Sequence, residues 1–271
     1  MSASSIWNIW HFAQFFPQNF VQNAYLHFSH NMLLYICNQE KPKERETTIM
    51  KIDRRKTYLL VLDIESARDL DNAIAYDCGV AVVDKQGNIY ESGSYVIEEV
   101  FFGCRPDMKS AYYANKLPQY FTEIGNGSRE IVTISELHSI ITNLSQKYNT
   151  KAVCAYNARF DHKGLNRTMQ MVNEKYFFDY DQPIWDIWKM AKQTICKQKT
   201  YKAFCEKHGF KCGRNNSMCK TSAEVVYAYI TNNPDFKEEH TGLEDVKIET
   251  AIMAHCFRQH KKMSKNLYEK A

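Results

Sequence analysis

Asp63 and Glu65 close a run of strand length, TYLLVLDIES (residues 57–66), with one apolar residue between them. On a strand, side chains at i and i+2 project from the same face. Two carboxylates held together at the end of a buried strand repel, and one must bind a proton unless a cation joins them. Hard divalent ions such as Mg²⁺ accept such oxygen ligands readily. Two further places supply groups that could complete a site. Asp161 ends YNARFD, with Phe160 just before it and Asn157 four residues ahead. His240 and Asp245 lie in HTGLEDVKIET. Four carboxylates from three elements can hold two metal ions about 4 Å apart, an arrangement that clamps a phosphodiester for in-line attack by water. A histidine, with a free pKa of about 6.5, suits removal of the water's proton at neutral pH.

These residues need elements to hold them. Residues 58–62 form a short apolar run rich in Leu and Val, and 78–83 a second, β-branched one. Turn chemistry around Gly87 then leads into an alternating third strand over 89–97, which makes an antiparallel meander. The stretch between the first two runs, 67–77, is polar and reads as a connection. Thr133 and Glu136 have capping-box spacing ahead of a helix with Leu137, Ile140, Ile141 and Leu144 on one face. Residues 151–155 form another strand that ends at Asn157 and Asp161, and 162–172 and 184–195 pattern as helices. A short helix over 201–208 stops at Gly209, and Thr221 with Glu224 repeats the capping-box spacing. The last helix spans about 243–258, with Asp245 near its start and His240 in the loop ahead. Residues 98–132 yield no clear element.

Taken together, the three motifs resemble the DEDDh 3′–5′ exonucleases, the family of the proofreading subunit of bacterial DNA polymerase III, ribonuclease T and oligoribonuclease. The family's D-x-E is matched by Asp63 and Glu65, its N-x-x-F-D by Asn157, Phe160 and Asp161, and its H-x₄-D by His240 and Asp245. The resemblance covers about residues 58–257. It implies an α/β fold similar to ribonuclease H, a mixed five-stranded sheet with its first three strands antiparallel and helices on both faces. It further implies two divalent metal ions, Mg²⁺ or Mn²⁺, held by Asp63, Glu65, Asp161 and Asp245, with His240 as general base. Ser66 stands where many relatives place Ser or Thr beside the terminal nucleotide. The implied substrate is the 3′ end of a nucleic acid, a single strand or frayed duplex, with single-stranded DNA expected and nucleoside 5′-monophosphates released. The same chemistry on RNA, and a non-catalytic binding module, remain alternatives. A DNA polymerase is a partner the family suggests, and the lysine-rich segment before the third motif resembles phage-borne members.

The totals are compatible with this reading. The chain has 271 residues, 44% of them hydrophobic, and a formal net charge of +4. Residues 189–220 alone carry a net +8, so the remainder nets −4. Within that segment Lys197, Lys199, Lys202 and Lys211 are candidates to track phosphates, against the alternative of a solvated face. No stretch approaches the roughly 18 apolar residues of a bilayer span, so no membrane association is expected. Nine cysteines, scattered through core-like segments, read as reduced thiols in a cytoplasm. Cys196, Cys205, His208, Cys212 and Cys219 lack paired zinc-ligand spacing, so no zinc is expected. Three segments follow: 1–49, an aromatic- and Asn/Gln-rich N-terminal extension; 50–262, the exonuclease domain; and 263–271, a basic tail. Arg45-Glu46 can be encoded as AGG-GAG, a ribosome-binding sequence shortly before Met50. The extension is therefore either a natural arm or a start-site artefact.

Overall fold

The protein is described here by a computed structural model covering residues 52–268. The extension, Met50, Lys51 and the last three residues of the tail lie outside the described residues. Strand β1 (Tyr58–Ala67) pairs antiparallel with β2 (Ile74–Asp84), which pairs antiparallel with β3 (Ile89–Ile97). Three short strands complete the sheet: β4 (Glu130–Val132), β5 (Val153–Ala155) and β6 (Ile184–Asp186). All three join in parallel, β4 on β3, β5 on β1 and β6 on β5, giving the order β4-β3-β2-β1-β5-β6. This is the mixed ribonuclease H-like sheet with an antiparallel start, but it has six strands, not five.

Along β1 the residues divide by parity. Leu60, Leu62 and Ile64 face one core, packed with α1 (Glu98–Phe101), α2 (Arg105–Ser110), α3 (Leu117–Gly125), α4 (Ile134–Tyr148) and α5 (Arg159–Met171). Leu59 and Val61 face the other, packed with α6 (Ile187–Thr194), α7 (Lys199–Lys207), α8 (Ala223–Ile230) and α9 (Gly242–Arg258). Asp63 and Glu65 continue the second series, so the strand's alternation aims both acids at the side occupied by α9. A small ribbon of β7 (Lys211–Cys212) and β8 (Met218–Cys219) lies beside α7.

Several sequence expectations need correction. Both ends of the supposed connection after β1 are strand: β1 runs on to Ala67, and Ile74, Ala75 and Tyr76 are buried in β2. The acids of that stretch concealed it, because Asp77 is a buried strand residue with partners of its own. Residues 184–186 are the strand β6 and not the start of a helix. Asp186 instead caps α6, accepting from the backbone N–H groups of Trp188 and Lys189. The capping box at Thr133 is present in full. At Thr221 it is not, since α8 starts from Ser222 without a side-chain cap and the Glu224 carboxylate bonds the Glu238 N–H and Lys237. Residues 98–132 hold three short helices that were too brief to show a period. At the other end, the Asp186 N–H donates to the Lys265 carbonyl and the Leu267 N–H to that of Ile184, so the tail lies along β6.

Two glycines set the position of α9. A Cβ on Gly79 would stand 2.1 Å from the Gly242 carbonyl carbon, and one on Gly242 would stand 2.4 Å from the Gly79 nitrogen. The first turn of α9 therefore lies backbone to backbone on β2, a fit that no side chain can share. Forcing a methyl into a packed interior costs about 1–3 kcal/mol, and here the obstructing atoms are backbone. Gly79→Ala should thus lower stability by at least that amount in denaturant unfolding, whereas Gly125→Ala, where a Cβ meets nothing within 4 Å, should not.

Candidate active site

The ends of β1, β5 and α9 converge on a cavity of about 490 Å³ whose lining includes Asp63, Glu65, Asn157, Phe160, His240 and Asp245. Three separated motifs thus meet in one place. Asp161 stands just behind them. Strand β5 pairs only with Leu60 and Val61 of β1 and then gives way to α5. The Ile64 N–H beyond that point donates to Asp161 Oδ1 at 3.3 Å, which pins the α5 carboxylate against the strand end. Asn157, in the left-handed region at φ 64°, makes the turn between β5 and α5, and its N–H donates to Asp186 Oδ1 at 3.3 Å. Phe160 does two things at once, packing on the first core and lining the cavity.

The site is dense in negative charge. Burial pushes the Glu65 carboxyl up to about 9, helped by the charges of Asp77 and Asp245. Burial likewise raises Asp161 to about 8 and Asp245 to about 7. Asp63 is raised well above the usual carboxylate range by burial, then by the charges of Glu249, Asp161, Glu65 and Asp245. No lysine or arginine appears among the described lining residues. Three carboxylate oxygens, Asp161 Oδ2, Asp245 Oδ1 and Glu249 Oε2, are buried without a hydrogen-bond partner among the described residues. Buried carboxylate oxygens normally find donors, so this set has the chemistry of a hard-cation site. Glu65, His240 and Asp245 can each offer a ligand atom, all within 4.8 Å of one another.

His240 is held from three sides. Its backbone is left-handed at φ 53°. Its ring stacks on Tyr113, with centroids 4.3 Å apart and planes 15° apart. Its Nδ1 lies 4.0 Å from Glu238 Oε2, and burial lowers its proton affinity below the usual histidine range. Beyond it, α9 starts at Gly242, whose N–H donates to Asp77 Oδ2 at 2.9 Å. The same oxygen accepts from the Tyr120 hydroxyl at 2.7 Å, and Arg129 pairs with the other. A buried ion pair between β2 and the segment after α3 thereby anchors the turn carrying His240 and Asp245.

Other expected residues lie elsewhere. Ser66 is half-buried past a register shift between Glu65 and Ser66, away from the cavity lining. Lys197, Lys199 and Lys202 are exposed at and just before α7, and Lys211 pairs with Glu206. All four lie away from the lining. Sequence reasoning passed over Tyr113, Tyr156, Trp188, Glu238 and Glu249, which do line it. The first falls in the unassigned 98–132 region. Glu249 did leave a signal, as an acid one helical turn after Asp245 within an otherwise apolar stripe.

No protein-family model and no curated protein matches the chain. Solved structures do. One is E. coli exonuclease I in complex with a 5cy-dT13 oligonucleotide, 13% identical, with a TM-score of 0.46 over 76% of this chain and 41% of that one. Another is cell-death related nuclease 4 (CRN-4), 11% identical, with a TM-score of 0.45 over 78% of this chain and 67% of that one. A third is exonuclease X in complex with 5′ overhanging duplex DNA, 15% identical, with a TM-score of 0.38 over 74% of this chain and 91% of that one. The match thus spans under half the length of exonuclease I.

The raised carboxyls fix a sign for pH dependence. Each binds its proton more tightly folded than unfolded, so its contribution to stability is full below its ordinary pKa and is lost as pH rises through the folded value. For Glu65 that window runs from about 4.5 to about 9. Metal-free protein should therefore lose thermal stability as pH rises through neutrality, and Mg²⁺ or Mn²⁺ should restore most of the loss. Melting curves in chelator and in metal across pH 5.5–9 check both outcomes.

Proposed function

We propose that the protein is a metal-dependent 3′–5′ exonuclease that hydrolyses phosphodiester bonds at the end of single-stranded DNA. The observation that carries this reading is the set of buried carboxylate oxygens without a hydrogen-bond partner among the described residues, those of Asp245 and Glu249 at one cavity and that of Asp161 just behind it, beside a half-buried histidine. Asp63, Glu65, Asp161 and Asp245 would hold two divalent ions, Mg²⁺ or Mn²⁺. Those ions would supply neutralising charge at the scissile phosphodiester.

His240 acts as the general base. Its burial keeps the imidazole neutral, so a ring nitrogen is free to take the proton of the attacking water. The Tyr113 ring fixes its plane, and the Glu238 carboxylate 4.0 Å from Nδ1 stabilises the imidazolium once formed. The water oxygen bonds to phosphorus as the bond to the leaving 3′-oxygen breaks, freeing the terminal nucleotide with its 5′-phosphate. Tyr113, Tyr156, Phe160 and Trp188 line the cavity and offer ring faces to an unpaired base, which favours a single strand or a frayed end over an intact duplex. Asn157 and Phe160 shape the wall on that side. The charge of Lys116 is close enough to lower the proton affinity of both His240 and Asp245. Ser66, behind the strand end, is a positioning residue at most.

Single-turnover cleavage of 3′-labelled DNA and RNA oligonucleotides of matched sequence tests the reading. Asp63→Asn should lose metal binding and hydrolysis together. His240→Ala should keep its metal affinity while the rate falls by about 10²–10⁴, with a residual rate that climbs with pH as hydroxide replaces the missing base. Parent-like cleavage by either variant would remove that residue from the mechanism, and faster cleavage of RNA would reassign the substrate. The lysine strip has its own test. If Lys197, Lys199, Lys202 and Lys211 track the strand leaving the cavity, reversing their charges should weaken binding and flatten its salt dependence. An unchanged slope would make them a solvated face.

A further inference from the structure

Of the two cavity carboxylates that the three motifs do not account for, Glu238 and Glu249, Glu249 is the one that is buried. It lies on α9 one turn after Asp245, where residues four apart share a face and stand about 5–6 Å apart at Cβ. Like Asp161 at 2% exposure and Asp245 at 8%, it is almost fully enclosed, at 3%. It lines the same cavity as Asp63, Glu65 and Asp245. Its Oε2 has no hydrogen-bond partner among the described residues. Among the charges acting on Asp63, that of Glu249 is the largest. A glutamate confined in a core usually has an arginine, a lysine or several N–H donors facing it. Here the groups facing it are Asp63, Asp161, Asp245 and Glu238, with the Tyr156 backbone amide.

Such a group is costly unless a cation is present. The helix could have carried an apolar residue at this position, as it does at Ile248, Ile252 and Met253 on the buried stripe. We propose that Glu249 is a fifth carboxylate ligand of the metal centre, binding a hard divalent cation on the Asp63 side of the site. The inference rests on the metal-dependent reading above and extends its ligand set. Five carboxylates exceed the charge of two divalent ions by one, so the centre should hold its metal more tightly than the four-acid set alone. Because Asp245 and Glu249 share one rigid helix, both ligands move together when α9 moves.

The probe is Mn²⁺ alone, titrated calorimetrically into the metal-stripped full-length protein, with the rise in melting temperature on adding Mn²⁺ as a second readout. Glu249→Gln keeps the shape and removes the charge. It should bind Mn²⁺ on the order of 10–100-fold more weakly, a loss already typical of disturbing a ligand's supporting contacts. Its Mn²⁺-induced stabilisation should shrink, while its metal-free melting temperature should hold or rise as repulsion is relieved. Glu249→Asp retains the charge but withdraws it by one methylene, and its affinity should fall between the two. Should the glutamine variant not fold, the aspartate variant decides the matter alone. Parent-like Mn²⁺ isotherms for the folded variants would overturn the proposal and leave the exonuclease reading standing. A parent that binds no Mn²⁺ at all would sink both.

Discussion

The backbone contact between Gly79 and Gly242 is the constraint on which the rest of the structure depends. Gly79 lies opposite Asp63 in the β1–β2 register, and the Cβ of a residue at 242 would come within 3.0 Å of the Asp63 carbonyl. With no side chain at either position, the first turn of α9 can settle directly on the strands next to the acidic strand end. The Gly242 N–H, an otherwise orphaned donor at a helix start, is satisfied by Asp77. Asp77 in turn is paired with Arg129 and Tyr120. Breaking such a buried pair leaves an uncompensated charge, which is far more costly than never having built it. One close approach and one ion pair therefore place His240 and Asp245 beside Asp63 and Glu65.

Around that anchor the sheet gathers groups that repel one another. Packing on both faces of β1 forces Asp63 and Glu65 to the α9 side, and the early end of β5 leaves a strand amide to hold Asp161. Burial raises the proton affinity of each acid, and the neighbouring carboxylates raise it further. The metal-free fold is thus held against its own electrostatics by hydrophobic packing in two cores. A cation would turn that repulsion into attraction, and a protein that spends stability in this way does so where function requires it.

The elements themselves were largely legible. The apolar run of β1, the alternation of β3, the capping box at Thr133 and the apolar face of α4 are local patterns, and local patterns survive in sequence. The errors came where local chemistry was deceptive. Acids marked Ile74 to Asp77 as a loop, although tertiary partners bury Asp77 within β2. Three residues ending in an N-cap, Ile184 to Asp186, are too few for any period to separate a strand from a helix.

For the site, the sequence by itself determined the chemistry on offer: an acid pair at a strand end, an acid at a strand-to-helix turn, and a histidine five residues ahead of a helical acid. Their residue types and local placement follow from spacing alone, because i and i+2 or i and i+4 relations are fixed by backbone geometry. Only the tertiary structure decided which other groups belong with them. Tyr113 reaches His240 and Asp77 reaches Gly242 across long stretches of chain, and Glu249 faces the acids because α9 lies in one orientation on β1 and β2. Contacts between distant residues depend on packing at ångström scale, here on two missing Cβ atoms, and no periodicity records that.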